Sequence, residues 1–189
     1  MKCLICSDIH GSAERAEQAL ACVSALGCDT LFVLGDVLYH GPRNPLPPGH
    51  DPKRTAALLN EYAPHIIACR GNCDAEVDQV MLSFPMLCDS ALVFDSGVNA
   101  GGRAGRRLFL SHGHIWSPEK LPPLASGDVF LCGHTHIPLL YRREDGVAVC
   151  NPGSVSLPKG GSEAGIAVYD GERIVLCTLD GKPYKELVL

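Results

Sequence analysis

Asp8 and His10 stand one residue apart in the stretch SDIHG, directly after the apolar run Cys3-Leu4-Ile5-Cys6. The same arrangement, polar residues after a short apolar run, recurs at Gly35-Asp36, Gly71-Asn72, His112-Gly113-His114 and Gly133-His134-Thr135-His136. Carboxylate, imidazole and amide oxygen are ligands of divalent ions such as Mn²⁺, Fe²⁺ and Zn²⁺. The pattern therefore predicts a metal site that is assembled from distant parts of the chain.

The number of these side chains exceeds what one ion needs, so we expect two ions that share a carboxylate. Two ions roughly 3.5–4 Å apart can activate a water and hold the oxygens of a phosphoryl group under attack. Each motif alone has a plain alternative, because Asp, Asn and Gly are ordinary turn residues and a His-x-His pair can belong to a turn. The combination is informative because ligands collect at strand ends in α/β sheets.

The elements that must position these residues follow from apolar periodicity. Short apolar runs predict strands at Lys2–Cys6, Thr30–Leu34, Ile66–Cys69, Leu108–Leu110, Val129–Cys132 and Val147–Cys150. Ser12 is suited to cap a helix whose apolar positions recur every three or four residues, with Gly27 as its stop. Asp51-Pro52 predicts the start of a second helix that runs to about Tyr62, and Ala75–Met81 a short third one.

The back half of the chain is predicted to consist mainly of strands. Ala91–Phe94 and Leu108–Leu110 flank a Gly-rich stretch, residues 95–107, that is typical of a long hairpin tip. Gly165–Tyr169 and Arg173–Thr178 predict a second hairpin. Two packed mixed sheets with helices outside satisfy both halves of the chain. Because we find no repeat or linker in the 189 residues, we expect one domain, residues 1–189.

Composition and charge exclude several classes of protein. The chain is 46% hydrophobic and 20% charged, as in ordinary globular domains. Its apolar runs are too short to cross a bilayer, so no membrane association is expected. The ten cysteines lie mostly inside apolar runs, and no export signal is visible, so we expect a cytoplasmic protein. Cys3 and Cys6 match C-x-x-C, but residues inside one strand face opposite sides of the sheet, which argues against a redox pair.

The net charge of −5 provides no broad basic field that would gather nucleic acid. The only basic cluster consists of Arg103, Arg106 and Arg107 in a Gly-rich stretch. A solvated loop is the expected explanation, with a phosphate-steering patch as the alternative.

These motifs, in their order along the chain, resemble the signature of the calcineurin-like metallophosphoesterases. The order is Asp-x-His, Gly-Asp, Gly-Asn, His-Gly-His and Gly-His-x-His. GDVLYHGPRN, RGNCD and NPGSVSLPKGG are similar to the small bacterial YfcE-type phosphodiesterases. The resemblance covers nearly the whole chain. It implies an α/β fold, a four-layer αββα sandwich of two mixed β-sheets flanked by helices, with the site at the strand ends.

The resemblance also implies the ligands of each ion. One ion would be held by Asp8, His10, Asp36 and His136, and the other by Asp36, Asn72, His112 and His134, so that Asp36 bridges them. Mn²⁺ is the expected metal, with Zn²⁺, Fe²⁺ or Ni²⁺ as alternatives. A hydroxide that bridges the ions would attack phosphorus, and Asp36 and Asn72 would count among the catalytic residues for that reason.

One position departs from the family pattern. Many members carry His after Gly-Asn, where it helps protonate the leaving group, whereas this chain has Cys73. Cys73 is thus a candidate catalytic residue but a poor acid, which leaves His114 and His40 as further candidates for proton donation. Each of these histidines can equally orient a neighbouring group. Asp74 is expected to hold His10 or an arginine.

The Gly/Pro-rich segment after Asp36 supplies the candidate substrate-binding residues. Arg43 and Asn44, together with His40, could bind a phosphate oxygen or the second ester group. The alternative is a loop tied by its own polar groups. The segment can also cover the site or contact another subunit, and Asn151-Pro152-Gly153-Ser154 can line the pocket or form an ordinary turn.

Three functions remain open on the sequence. The first is a phosphodiesterase acting on small phosphodiesters, and the second is a phosphomonoesterase or nucleotide phosphatase. The third is a non-catalytic scaffold with this fold, as in the retromer subunit, which the intact ligand positions argue against. A homo-oligomer, either dimer or tetramer, is a further expectation.

Overall fold

The computed structural model describes residues 1–98 and 104–189. Within these ranges the chain forms helices α1 (Ala13–Ala25), α2 (Pro52–Asn60) and α3 (Glu76–Met81) and a 3-10 turn at Ala63–His65. The strands are β1 (Cys3–Cys6), β2 (Thr30–Val33), β3 (Ile66–Ala68), β4 (Ser90–Val98), β5 (Ala104–Ser111), β6 (Val129–Leu131), β7 (Leu139–Arg142), β8 (Ala148–Asn151), β9 (Gly165–Tyr169), β10 (Arg173–Thr178) and β11 (Pro183–Val188). None of the described helices is long and apolar enough to cross a bilayer.

The strands form two mixed sheets. The first has the order β11-β10-β9-β1-β2-β3, in which β1, β2 and β3 are parallel and β9 is antiparallel to β1. The second has the order β4-β5-β6-β8-β7, in which β5, β6 and β8 are parallel. The carboxyl ends of β1, β2 and β3 therefore lie at one edge of the first sheet, as those of β5 and β6 do in the second. The predicted pair of mixed sheets is confirmed.

One core cluster lies between the two sheets and a larger one lies between the first sheet and the helices, and alternation along each strand decides which residues enter which. Cys3 and Ile5 of β1 pack in the core between the sheets, whereas Leu4 and Cys6 pack under the helices on the other face. The prediction that Cys3 and Cys6 face opposite sides of the sheet is confirmed.

Helices α1 and α2 begin at the residues that the sequence indicates, and α1 also ends there. Ser12 caps α1, with its Oγ accepting from the Arg15 amide, and Gly27 follows the helix with a left-handed φ of 63°. Asp51 caps α2 in the same way through the Arg54 amide. This helix ends at Asn60 rather than near Tyr62, because the chain continues as the 3-10 turn.

The outer face of the second sheet lacks a helical layer among the described residues. Along β6 and the residue after it, Val129 and Leu131 face the core between the sheets, whereas Phe130 and Cys132 face outward. The outward residues pack with Val149 under Trp116 and other side chains. The segment 112–128 that supplies this cover contains no helix. The helices therefore pack on the first sheet, and the fourth layer of the sandwich is irregular chain.

The sequence did not predict two of the strands, β7 and β11. β11 is almost entirely exposed and begins with Pro183, and β7 is short and only partly buried, so neither has a clear apolar pattern. β4 and β5 confirm the long hairpin by their antiparallel pairing. Residues 99–103 of its predicted tip, including Arg103 of the basic cluster, lie outside the described residues.

The other two arginines of that cluster hold the fold together. Arg106 is buried and donates to the carbonyls of Gly127 and Gly171 at 2.9 Å each. Arg107 pairs with Asp128 through its Nε at 2.9 Å. Because both guanidinium groups are engaged within the protein, neither the solvated loop nor the phosphate-steering patch describes them.

Candidate metal centre

The candidate ligands come from five loops, each of which follows a strand. Asp8 and His10 follow β1, Asp36 follows β2, and Asn72 follows β3, while the second sheet contributes His112 after β5, and His134 and His136 after β6. Backbone hydrogen bonds join the first two loops, since the amides of Asp8 and His10 donate to the carbonyls of Gly35 and Asp36 at 3.1 and 2.9 Å. The sheets therefore bring together residues that are up to 128 positions apart, from Asp8 to His136.

The backbone is left-handed at most of these positions. Among the described residues, the non-glycine residues with positive φ are Asp8 (56°), His10 (52°), Asp36 (54°), His134 (68°) and His136 (60°). All five are candidate ligands. A left-handed conformation costs an L-residue roughly 1–2 kcal/mol, and strain of this kind clusters at functional sites.

Three imidazoles have the same orientation. The Nδ1 atoms of His10, His112 and His136 donate to the backbone carbonyls of Tyr39, Leu34 and Leu157 at 2.8, 2.7 and 2.6 Å. A carbonyl can only accept, so each Nδ1 carries a proton, and each ring in its neutral form keeps a lone pair on Nε2. This second hydrogen bond is the usual means of fixing a metal-binding histidine.

The Nε2 atoms converge on a buried carboxylate. Those of His10 and His136 lie 3.3 Å apart, and that of His136 lies 3.2 Å from Asp8 Oδ1. Asp8 Oδ1 is buried and has no hydrogen-bond partner among the described residues. Lone pairs facing each other around an unpaired carboxylate oxygen repel unless a cation lies between them. These residues therefore fit a metal ion.

A second group forms around Asp36 and His112. His112 Nε2 lies 3.4 Å from Asp36 Oδ2 and 3.1 Å from Asn72 Oδ1. Burial alone would lower the pKa of His112, but the carboxylates of Asp36 and Asp8 outweigh it and raise that pKa to about 9. The pKa of Asp36 is lowered, because its contacts with His112 and the Cys73 amide outweigh its burial. This second cluster likewise attracts positive charge.

His134 lies at the margin of this group. Its amide donates to Asp8 Oδ2 at 3.1 Å, and its ring centroid lies 5.1 Å from that of His112. The three-residue clusters with mutually close ligand atoms are Asp8/His10/His136, Asp8/Asp36/His112 and His10/Asp36/Cys73, considering the described part of the chain alone. His134 is thus brought next to the second cluster without being one of its closest members.

Asp74 does not hold His10 or an arginine, so that expectation is wrong. Its carboxylate accepts from the backbone amides of Asp36, Val37 and Gly71 at 2.8, 2.8 and 2.7 Å. Burial raises the pKa of Asp74 to about 6, although these amides oppose the shift. Asp74 joins the loop after β2 to the loop after β3 and so positions Asp36.

Cys73 and His114 both lie beside the clusters. The Cys73 amide donates to Asp36 Oδ1 at 2.8 Å, and burial together with Asp36 raises the pKa of its thiol to about 12. The ring centroid of His114 lies 5.4 Å from that of His112, and its buried Nδ1 has no hydrogen-bond partner among the described residues. Burial lowers the pKa of His114, so its ring is neutral near pH 7.

The loop after Asp36 is fastened to the turn that carries His10. The Ala13 amide donates to the carbonyl of Gly49, the Asp51 amide donates to that of Gly11, and His50 Nδ1 donates to that of His10 at 3.0 Å.

The predicted substrate-binding residues lie farther out on this loop. Asn44 Nδ2 donates to the carbonyl of His40 at 2.8 Å, which is the contact expected of a loop tied by its own polar groups. His40 packs edge-on against Tyr39 and His50, and Arg43 is exposed. The contacts of His40 and Asn44 are with the loop itself, and the role of all three residues toward substrate stays a prediction.

Sequence reasoning named Asn151 and Ser154 as able to line the pocket, but it did not predict that they support the ligands, and it missed Ser156. The hydroxyls of Ser154 and Ser156 both donate to the carbonyl of Asp8, at 2.8 and 3.0 Å. Asn151 Nδ2 donates to the carbonyl of Gly133 at 2.7 Å and so holds the turn with His134 and His136. The stretch NPGSVS was the available signal for these residues. Its composition is that of a turn, yet the structure buries its polar side chains.

Known proteins resemble this chain over its full length. The model of the calcineurin-like phosphoesterase superfamily domain matches residues 1–173. Phosphodiesterase YfcE of Escherichia coli (strain K12) is 44% identical over 180 residues, which cover 95% of this chain and 93% of that protein. The solved structure of YfcE, a phosphoesterase from E. coli, has a TM-score of 0.92 at 42% identity and covers 100% of this chain and 99% of that one. Vps29 of Chaetomium thermophilum shares the fold alone, with a TM-score of 0.62 at 15% identity over 99% of this chain and 97% of that one.

Proposed function

We infer the function of this chain from its family: it belongs to the calcineurin-like phosphoesterase superfamily, as a YfcE-type phosphodiesterase homologue and a metal-dependent phosphoric ester hydrolase. On that premise we propose that it hydrolyses small phosphodiesters with two divalent metal ions, of which Mn²⁺ is the expected one. Phosphomonoester hydrolysis is the competing activity, because a dinuclear centre alone does not select the ester class.

The observation that carries the proposal is the orphaned oxygen of Asp8 among imidazoles whose lone pairs face inward. Hydrogen bonds to backbone carbonyls hold these rings in the metal-binding tautomer before any ion arrives. This cluster supports metal binding, and turnover of an ester is what separates the enzyme from the scaffold hypothesis.

The assignment of ligands follows from the resemblance together with the contacts. Asp8, His10, His136 and Asp36 would hold one ion, and Asp36, Asn72, His112 and His134 the other. The first set includes a described cluster, Asp8/His10/His136. For the second set, the contacts of His112 with Asp36 and Asn72 support the assignment.

When bound, the ions would lower the pKa of a water molecule and neutralise charge on the phosphoryl oxygens. The protein residues supply position and a proton. The left-handed backbone at the ligand positions and the Asp74 carboxylate hold Asp36 in place. The Cys73 amide donates a hydrogen bond to Asp36 Oδ1 and so fixes the orientation of that carboxylate. His114, with a buried and unbonded Nδ1, is suited to donate a hydrogen bond to the leaving oxygen.

The test is hydrolysis of a bis-aryl phosphate and of the matching mono-aryl phosphate by metal-stripped protein that has been reloaded with Mn²⁺, Zn²⁺ or Mg²⁺. We expect Mn²⁺-dependent cleavage that favours the diester. Asp36→Asn keeps the shape of the side chain but removes its charge, and should abolish turnover and reduce Mn²⁺ binding.

Two other results would change the assignment. Preference for the mono-aryl phosphate would identify a phosphomonoesterase. Tight binding of ions without turnover of either ester would contradict both enzyme hypotheses and favour the scaffold.

A further inference from the structure

A groove with a volume of about 1130 Å³ lies between α1, the segment 156–164 and the β10–β11 turn; we refer to it as the α1 groove. Its apolar lining includes Ala21, Ala25, Pro138, Pro158, Leu179 and Tyr184. Small-molecule sites have volumes of about 300–1,000 Å³ and are mostly apolar with a few polar groups. The α1 groove is slightly larger than this range and has this mostly apolar character, and none of its lining residues is a candidate metal ligand.

One positive charge in the α1 groove lacks a counter-ion. Arg15 lines the groove, and its Nε is buried without a hydrogen-bond partner among the described residues. Its guanidinium donates to the neutral amide oxygen of Gln18 at 3.0 Å, and it forms no ion pair with any carboxylate in the described part of the chain. Arg15 is only partly buried, so its guanidinium group can pair with an anion in the groove, and no carboxylate among the described residues competes for it.

The remaining charges of the groove do not neutralise this arginine. Lys182 adds a second positive charge to the lining. Asp180 accepts a hydrogen bond from the Thr178 hydroxyl, and Glu163 is exposed to water. The lining thus combines a cation in need of an acceptor with a largely apolar wall.

We propose that the α1 groove is a second binding site, which takes a small organic anion with an apolar body. The anionic group would pair with Arg15, and the apolar body would cover Ala21, Ala25 and Leu179. Association would combine a charge-assisted hydrogen bond with burial of apolar surface.

The groove shares a wall with the metal centre. This wall is the segment 154–159, in which Ser156 and Pro158 line the α1 groove. The Ser156 hydroxyl donates to the carbonyl of Asp8, and the Leu157 carbonyl accepts from His136 Nδ1. An anion that shifts the wall must change the affinity for metal, and metal must change the affinity for the anion by the same factor.

Binding is tested by calorimetry with octane-1-sulfonate, which has no ester bond to hydrolyse, and with octan-1-ol as its uncharged counterpart. We expect the sulfonate to bind the metal-free and the Mn²⁺-loaded protein with different affinities. Arg15→Gln should weaken binding by about tenfold or more through loss of the charged donor. Ala21→Trp should weaken it by filling the groove from an exposed helix position.

Arg54→Gln is the matched control, because Arg54 lies on α2 in an exposed ion pair with Glu17 and should leave sulfonate affinity unchanged. Absence of sulfonate binding to the wild-type protein would overturn the proposal, as would equal affinity in Arg15→Gln or equal affinity for octan-1-ol. A Mn²⁺ affinity that saturating sulfonate does not change would overturn the coupling. None of these readouts requires turnover, so they stand apart from the test of the phosphodiesterase.

Discussion

The candidate centre is built from residues that are each unfavourable alone. Asp8, His10 and Asp36 adopt left-handed backbone conformations, and Asp8 Oδ1 is buried with no hydrogen-bond partner among the described residues. The Ser154 and Ser156 hydroxyls and the Asp74 carboxylate hold the backbone at these positions. These residues lower the local stability of the backbone but hold a set of lone pairs in fixed positions. Such fixed positions favour tight metal binding.

At the residue scale, we propose His114 rather than Cys73 as the group that assists the leaving oxygen. The Cys73 thiol has a pKa raised to about 12, whereas the His114 ring has a buried Nδ1 with no hydrogen-bond partner among the described residues. We expect His114→Gln to slow hydrolysis by about 10²-fold or more for a phenyl leaving group. The loss should be far smaller for a nitrophenyl group, which leaves without a proton. Steady-state kinetics on the two esters measures both effects.

Cys73→Ser is the control for this series, since serine keeps a small side chain that can still accept a hydrogen bond from Asn72 Nδ2. We expect it to retain most of the activity on both esters. Equal losses on both esters in His114→Gln would show that no proton transfer is affected, and a selective loss in Cys73→Ser would move the role to that residue.

At the scale of elements, the two sheets meet closely where β1 and β6 end. A Cβ on Gly133 would lie 1.8 Å from Ser7 Oγ and 2.8 Å from Asp8 Oδ2. Only a residue without a side chain allows the loop after β6 to approach the loop after β1. The distance between the ligands of the two sheets thus depends on this glycine.

Gly133→Ala should force the two loops apart. We expect a loss of about 1–3 kcal/mol in the free energy of unfolding from overpacking, with weaker Mn²⁺ binding, measured by urea unfolding and by calorimetry. Gly97→Ala is the comparison, because the nearest atom to its Cβ would lie at 3.3 Å and it is far from the ligands in sequence. Wild-type Mn²⁺ affinity in Gly133→Ala would contradict the role of close approach.

A second element-scale contact joins β5 to the start of β6. Asp128 is buried and accepts from Arg107 Nε at 2.9 Å and from the Ala125 amide at 2.7 Å. Burial alone would raise the pKa of Asp128, but these hydrogen bonds outweigh it, so the pKa lies below its usual value. Folding therefore favours the ionised carboxylate.

Asp128→Asn should reduce the free energy of unfolding by about 1.5–3 kcal/mol near neutral pH through the loss of a charge-assisted hydrogen bond. The contribution is complete above the unfolded-state pKa of about 3.9 and is lost as the pH falls through the lower folded-state value. Urea unfolding at several pH values should show wild type and variant converging in acid. A difference that does not depend on pH would contradict this origin.

At the scale of the whole molecule, the metal centre links the two sheets. Asp8, His10, Asp36 and Asn72 come from the first sheet, while His112, His134 and His136 come from the second. An ion held by both sets would stabilise the folded state alone. At a free ion concentration of 100 times Kd, this linkage is worth about 2.7 kcal/mol.

Removal of metal should accordingly lower Tm, and Mn²⁺ should restore it. Scanning calorimetry in EDTA and in Mn²⁺ measures the difference, which Asp36→Asn should largely remove. A single transition would support one domain for residues 1–189. A Tm that does not respond to Mn²⁺ in the wild-type protein would contradict the link between the sheets. The predicted dimer or tetramer remains to be measured by light scattering.

The sequence alone determined the fold class, the ends of most elements and the set of candidate ligands. Alternation of period two set the faces of β1 and β6, and local capping chemistry set the starts of α1 and α2. These features depend on neighbours along the chain, so composition and spacing reveal them. The exposed β11 and the short β7 lack such a local signal and were missed for that reason.

Only the tertiary structure decided what the polar residues contact. It assigned Asp74 to three backbone amides, the serines of 154–156 to the carbonyl of Asp8, and Arg106 and Arg107 to internal partners. The tertiary structure also forms the α1 groove, whose walls come from segments that are more than 100 residues apart in the chain. Such contacts depend on the packing of distant segments, and a polar side chain has no sequence periodicity that names its partner.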